Sequence, residues 1–153
     1  RHDAIASEPL LETDIVVVVG ADHPMQTEPP PDIGGLFRYP IAIPFLEARY
    51  RDILRTDYGI DLDAQVGRVV CSDFEMLVRV VESSSRLFTA GPRIAFTDEL
   101  AAGRLRIVNI DVPFNHVIQL HINRDAYPLP AVTQVTDIIR QAFADIRATE
   151  VAR

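Results

Sequence analysis

The order of apolar and polar positions divides the chain into extended segments separated by helices. DIVVVVG (14–20) does not alternate, so it predicts a strand buried on both faces. Residues 1–13 are polar and without a clear period, so we expect them to be irregular. Five further extended segments are predicted at 41–45, 66–71, 86–90, 104–110 and 116–125.

Apolar residues spaced by three and four positions predict helices between these strands. The last helix, at 129–148, shows the clearest apolar stripe, and a single helical turn is predicted within 33–40. The others are predicted at 47–59, stopped by Gly59, at 73–84, and at 93–102, closed by Gly103. Strands that alternate with helices are typical of an α/β fold with a mainly parallel sheet.

The stretch CSDFEMLVRVVESSS (71–85) joins a β-branched strand to an amphipathic helix. Ser72 and Glu75 are three residues apart, the spacing of a capping box, in which the serine hydroxyl accepts from the backbone of Glu75. The N-terminus of a helix that follows a strand also presents free N–H groups and a positive dipole end to an anion. Capping and ligand contact are therefore both open for Ser72 and Asp73.

The bulk composition is that of one soluble globular domain, with 153 residues of which 48% are hydrophobic and 24% charged. No apolar run approaches the roughly 20 residues that cross a bilayer. The net charge is −7, and the fifteen basic residues, all arginine, are dispersed along the chain. Direct phosphate binding needs a positive stripe, so this segment alone is not expected to bind DNA specifically.

The sequence gives little support for a catalytic or a metal-binding site. His116 and His121 are five positions apart on a predicted strand and so face opposite sides, which excludes a shared ion. Cys71 lies at the end of a predicted strand, so we expect its thiol to be buried and unreactive. Because no nucleophile, base and orienting group come together, we expect no enzyme activity, no metal and no cofactor.

The order of several segments resembles the LysR-type transcriptional regulators. LLETDIVVVVGADHPM is similar to the family's buried strand and His-Pro turn, and LFRYPIAIPF to its short helix, Tyr-Pro and strand. SDFEMLVRVVESSSRLFTAGP, LAAGRLRIVNIDVP, HVIQLHINRD and the final amphipathic helix follow in family order. The resemblance covers residues 9–147, and only the order and spacing of its motifs are specific. Ser84-Ser85-Arg86 departs from the Gly-x-Gly that family members often carry, which leaves the local turn open.

The fold that this resemblance implies is the effector-binding domain, a two-subdomain α/β fold like that of type 2 periplasmic binding proteins. Residues 21–115 would form subdomain II, residues 14–20 and 116–123 the crossover strands, and residues 124–153 would return to subdomain I. The winged helix-turn-helix and the N-terminal part of subdomain I would precede residue 1. The apolar stripe of the final helix would need the missing strands as its cover, so the intact polypeptide is expected to begin upstream.

The function that the resemblance implies is sensing of a small-molecule inducer, a small organic anion bound between the subdomains, by a cytoplasmic regulator. The effector-binding residues would be Ser72, Asp73, Phe74, Pro44 and Phe45. The regulator would be a homodimer or homotetramer that contacts DNA through its missing N-terminal domain and does not associate with a membrane. The alternative is a two-lobed periplasmic solute-binding protein, which would need a signal peptide upstream.

Overall fold

The computed structural model describes residues 4–44, 48–65, 67–112, 115–125 and 129–151. Six strands and five helices follow one another along these residues. They are β1 (Ile5–Gly20), α1 (Ile33–Leu36), β2 (Ala42–Ile43), α2 (Ala48–Tyr58), β3 (Val69–Val70), α3 (Phe74–Glu82), β4 (Phe88–Pro92), α4 (Thr97–Ala101), β5 (Leu105–Ile107), β6 (Asn115–Asn123) and α5 (Pro130–Val151).

The first strand is much longer than predicted. β1 has 16 residues and includes most of the segment expected to be irregular, so that prediction is wrong. Its first part pairs antiparallel with β6 over the whole length of that strand. A register shift between Pro9 and Leu11 interrupts the alternation of buried and exposed positions, which hides a period of two in the sequence.

The chain divides into two compact units, which we call unit 1 (residues 1–14 and 115–153) and unit 2 (residues 15–114). Unit 1 contains the ribbon of β1 and β6 and the helix α5. Unit 2 contains the second part of β1 and the elements from α1 to β5.

The sheet of unit 2 is mixed rather than mainly parallel. β1 pairs antiparallel with β4 and with β5, whereas β2 pairs parallel with β3. A parallel bridge between Ile41 and Phe88 joins the two ladders, which gives the strand order β3-β2-β4-β1-β5. The α/β class is confirmed. The long strand β1 takes antiparallel partners, and this reduces the parallel content that simple strand–helix alternation suggests.

Both faces of this sheet are covered, as the unbroken valine run predicted. Successive valines of β1 point to opposite faces, with Val17 and Val19 in one apolar cluster and Val16 and Val18 in the other. The first cluster includes residues of α1 and of the segment before β3, and the second includes the buried face of α3. Val18, Val19 and Val81 have no exposed surface.

The helices of unit 2 lie where periodicity placed them, with shorter limits. α2 ends at Tyr58, and Gly59 follows with φ of +66°, a value that glycine adopts without strain. A 3-10 turn, Arg93–Phe96, replaces the first part of the helix predicted at 93–102. Ser84 accepts hydrogen bonds from the N–H groups of Arg86 and Leu87, each at 3.1 Å, so a serine side chain organises the turn that the sequence left open.

Unit 1 has a smaller core. One face of its ribbon contributes the buried Leu11 and Ile122, and Thr136 of α5 is also buried. Arg140 on α5 binds Glu8 on β1 through two hydrogen bonds, of 2.7 and 2.9 Å. Across the described residues, no helix is both long and apolar enough to cross a membrane.

Candidate functional site

The N-terminus of α3 is capped by Asp73, one residue later than the capping box predicted. Asp73 has an extended backbone, and its Oδ1 accepts from the N–H of Met76 at 2.9 Å. The predicted bond from Glu75 N–H to Ser72 is therefore wrong, since the helix starts at Phe74. The Glu75 carboxylate instead pairs with Arg79 one turn later, at 2.6 Å.

The two adjacent parallel strands bring Pro44 and Ser72 to one edge of the sheet. Ile43 stands opposite Val70, and the N–H of Cys71 donates to the carbonyl of Ile43 at 3.1 Å. Pro44 follows Ile43 directly, and Ser72 follows Cys71 directly. Carboxyl ends of neighbouring parallel strands are where open α/β sheets bind ligands.

Phe74 links this edge to the core of unit 2. Its ring is half-buried, and its centroid lies 5.5 Å from that of the fully buried Phe96. Phe74 therefore has a packing role, whatever contact its exposed part makes. Phe45, the remaining predicted site residue, lies outside the described residues.

Several hydrogen-bond donors at this edge are free to bind a ligand. The first N–H groups of any helix lack intrahelical partners. Among the described residues, the N–H groups of Phe74 and Glu75 and the hydroxyl of Ser72 have no protein partner. Ser72 is exposed, so its hydroxyl is accessible. Together these groups can donate two or three hydrogen bonds to a carboxylate or a hydroxyl group.

The donors at this edge favour an anion, but the charges around them favour it less. The α3 dipole attracts negative charge, but the exposed carboxylate of Asp73 lies on the same turn and repels it. The cap bond uses Oδ1 of Asp73, which leaves Oδ2 able to accept from a ligand. Asp73 is therefore the residue that should decide between anionic and donor-bearing ligands.

Two apolar side chains beside this edge were not among the predicted site residues. Val70 is 53% exposed and Met76 is 55% exposed. Met76 could have been found, because it lies outside the apolar stripe that predicted α3. Val70 could not, because a β-branched run predicts a buried strand, whereas β3 has a single described partner and lies at the end of the strand order.

Unit 2 also has a shallow cavity of about 170 Å³ between α2 and the loop after it, lined by residues that include Arg51, Ile60 and Asp63. Asp63 pairs with both Arg51 and Arg68. Its pKa is held below the ordinary value, first by the hydrogen bond from Arg68 and also by the charge of Arg51. Since Asp63 is already bound by two arginines of the chain, this cavity is the weaker candidate.

The three histidines that the structure describes behave as structural side chains. His121 Nδ1 is 2.8 Å from the hydroxyl of Ser7, and His116 is half-buried while His121 is exposed, as expected for opposite faces of β6. Within the described ranges, no three His, Cys, Asp or Glu side chains come together as a metal site would require. His23 is buried and accepts from the N–H of Met25 through Nδ1, at 3.1 Å.

A sequence-family match agrees with the fold. The model of the LysR substrate binding domain matches residues 1–144. The chain belongs to this family. No protein with a curated function matches the sequence at a significant level.

Solved structures of LysR-family regulatory domains share the fold. The regulatory domain of MetR from N. meningitidis superposes with a TM-score of 0.68 at 16% identity, over 95% of this chain and 68% of that chain. The effector binding domain of QuiR in complex with shikimate gives 0.68 at 20% identity, with 95% and 68% covered. The CcmR regulatory domain of Synechocystis PCC6803 in complex with 2-PG gives 0.64 at 15% identity, with 91% and 67% covered.

Membership of the LysR family confirms the predicted resemblance and the α/β fold of periplasmic-binding-protein type. It supports the interpretation as a regulator domain over the periplasmic solute-binding alternative. The family consists of transcriptional regulators.

Proposed function

We propose that this LysR-family domain senses a small-molecule effector at the carboxyl edge of β2 and β3, where α3 begins. The observation that carries the proposal is the register of β2 and β3, since Pro44 and Ser72 each follow a residue of the hydrogen-bonded pair Ile43–Cys71 at the same edge of the sheet. Among the described residues, Ser72, Phe74 and Glu75 have donors there without a protein partner. QuiR and CcmR, which share the fold, are solved in complex with small molecules. Phe45 stays in the proposed site on the basis of the family resemblance alone.

The effector that fits these donors is a small organic anion with an apolar portion. Its carboxylate would accept from the N–H groups of Phe74 and Glu75 and from the hydroxyl of Ser72. Its apolar part would cover the exposed side chains of Val70 and Met76, since burying them removes apolar surface from water. The negative charge of Asp73 would lower the affinity for this ligand, because it repels the ligand's carboxylate.

The proposed role in the whole regulator follows the family. Residues 21–115 would be subdomain II, residues 14–20 and 116–123 the crossover strands, and residues 124–153 part of subdomain I. Effector binding would bias how a cytoplasmic homodimer or homotetramer holds DNA through a helix-turn-helix domain. The −7 charge supports the view that these residues do not contact DNA themselves. Catalysis forms no part of the proposal, and neither does a cofactor.

The test is calorimetric titration of the chain with a panel of small carboxylates, namely acetate, succinate and shikimate. For any carboxylate that binds, Ser72→Ala should weaken the affinity by roughly two- to tenfold, the effect of losing one hydrogen bond of about 0.5–1.5 kcal/mol. Ser85→Ala is the matched control, because Ser85 is an exposed serine beyond the other end of α3. Equal effects of the two changes would contradict the site.

Asp73→Asn identifies the charge of the ligand. Asparagine caps helices as well as aspartate does, so α3 should keep its N-terminus while the negative charge is lost. The affinity for a carboxylate should then rise by about two- to fivefold, the change expected for removing a repulsion of up to ~1 kcal/mol near the surface. A fall in affinity would show that Asp73 accepts a hydrogen bond from the ligand, and the carboxylate would not be the group bound at this turn.

A further inference from the structure

The buried ring of Phe96 lies against two residues that belong to different parts of unit 2. On one side is Gly91 in β4, where a Cβ atom would stand 3.2 Å from Cζ and 3.3 Å from Cε2 of the ring. Phe74, the first residue of α3, also contacts it, with ring centroids 5.5 Å apart and planes inclined by 39°. Phe96 has no exposed surface, so its ring has little room to move.

We infer that Phe96, held between Gly91 and Phe74, is a positioning residue that fixes where the first turn of α3 stands. This inference rests on the proposed function for its significance, because that turn carries the donors of the proposed site. Phe74 is followed at once by Glu75 and Met76, so a displaced Phe74 ring would move the N–H groups that face the ligand. Phe96 itself is buried and would not touch the effector.

Gly91 gives direct experimental access to this contact. Its φ is not in the left-handed region, so alanine brings no backbone strain and acts only through its methyl group. The contacts of 3.2 and 3.3 Å require the ring to give way by a few tenths of an ångström. Gly34→Ala is the matched control, since its new Cβ would meet only an Asp32 oxygen at 3.4 Å.

The measurement is amide hydrogen exchange at the two ends of α3. The Leu77 N–H donates to the carbonyl of Asp73 and reports the first turn, whereas the Ser83 N–H donates to Arg79 and reports the last. The ratio of the two exchange rates cancels a uniform loss of stability. Gly91→Ala should raise the Leu77 rate severalfold relative to the Ser83 rate, and Gly34→Ala should leave the ratio unchanged.

A second variant tests whether the effect passes through the ring. Phe96→Leu removes the atoms that the alanine methyl meets, so the double variant Gly91→Ala/Phe96→Leu should have the same ratio as Phe96→Leu alone. Where Gly91→Ala does not fold, Phe96→Leu alone decides, because it removes the ring contact with Phe74 and should also raise the ratio. An unchanged ratio in Gly91→Ala, or additive effects in the double variant, would overturn the inference.

These exchange rates are measured without ligand, so they separate the inference from the proposed function. A ratio that responds as expected, together with carboxylate binding that is insensitive to Ser72→Ala, would retain Phe96 as the positioning residue of α3 and reject the proposed site. A ratio that does not respond would reject the inference and leave the proposed site standing.

Discussion

Units 1 and 2 bury their apolar side chains to very different extents. Unit 2 covers both faces of a five-stranded sheet, and its helix α3 buries Leu77, Val78 and Val81 to 5% exposure or less. In unit 1, Val135 and Ile138 of α5, and Leu129 just before this helix, are more than half exposed. An amphipathic stripe in a sequence therefore predicts a helix, and neighbouring elements decide how much of that stripe is buried.

The largest difference between the units should appear when one apolar side chain of each is removed. Leu77→Ala in α3 should destabilise the protein by about 2–5 kcal/mol, because it deletes buried groups and leaves a cavity. Ile138→Ala in α5, where the side chain is 61% exposed, should change stability by no more than about 0.5 kcal/mol. Urea unfolding of the two variants measures both values. Similar losses would mean that α5 is covered in solution.

The next effect concerns the corrected N-cap of α3. Asp73→Ala should cost about 0.5–2 kcal/mol, because the N–H of Met76 loses its acceptor. Ser72→Ala should leave the unfolding free energy nearly unchanged, since among the described residues its hydroxyl has no partner. Thermal unfolding of the two variants compares the contributions of these two neighbouring residues to stability. A larger loss for Ser72→Ala would restore the capping box that the sequence suggested.

As the pH falls, unit 2 should lose stability at a higher pH than unit 1, and the group responsible is His23. Burial lowers the pKa of His23 below its ordinary value of 6.5, and the backbone of Arg86 opposes this shift without reaching hydrogen-bond geometry to Nε2. The unfolded chain thus takes up a proton that the folded chain resists. Stability should be complete above about pH 6.5 and fall as the pH drops towards the lowered value.

His23→Asn provides the comparison, because asparagine can still accept from the N–H of Met25 but does not titrate. Its unfolding free energy should depend less on pH between about 7 and 5 than that of wild type. Parallel pH profiles of the two proteins would show that His23 does not cause the loss.

A smaller effect at lower pH should involve Glu8 in unit 1. Hydrogen bonds from Arg140 hold the pKa of Glu8 below its ordinary value of 4.5. The stability from this pair is present above that value and is lost as the pH falls through the lowered one. The pair is partly exposed, so salt should screen it. Unfolding profiles of Glu8→Gln and wild type should differ above pH 4.5 and converge in acid, and profiles that never converge would contradict this.

The sequence predicted the parts of this fold that depend on local periodicity. The valine run of β1, the end of α2 at Gly59 and the stripe of α5 needed no knowledge of distant partners. The pairing of residues 5–13 did need it, because β6 supplies their hydrogen bonds from more than 100 positions away. The exposure of Val70 was likewise not predictable from local sequence, because its strand lies at an edge of the sheet and only the strand order reveals that edge.

The N-cap of α3 was predictable to within one residue. A polar residue before the periodic pattern indicated the start of α3, but serine and aspartate both cap helices well, and spacing to Glu75 favoured the wrong one. That Pro44 and Ser72 lie at the same edge of the sheet follows from the register of β2 and β3, which no local pattern encodes. The contact of Phe74 with Phe96 depends on tertiary packing that no local pattern encodes.

The central proposal is that the first turn of α3 binds the effector, and amide chemical shifts test it most directly. The chain is titrated with acetate, succinate and shikimate, and the shifts are followed residue by residue for any of these that binds saturably. We predict that the largest changes occur at Ser72, Phe74 and Glu75 and share one dissociation constant. Saturable shifts confined to other residues, such as those of the α2 cavity around Arg51 and Asp63, with the α3 turn unchanged, would contradict the account.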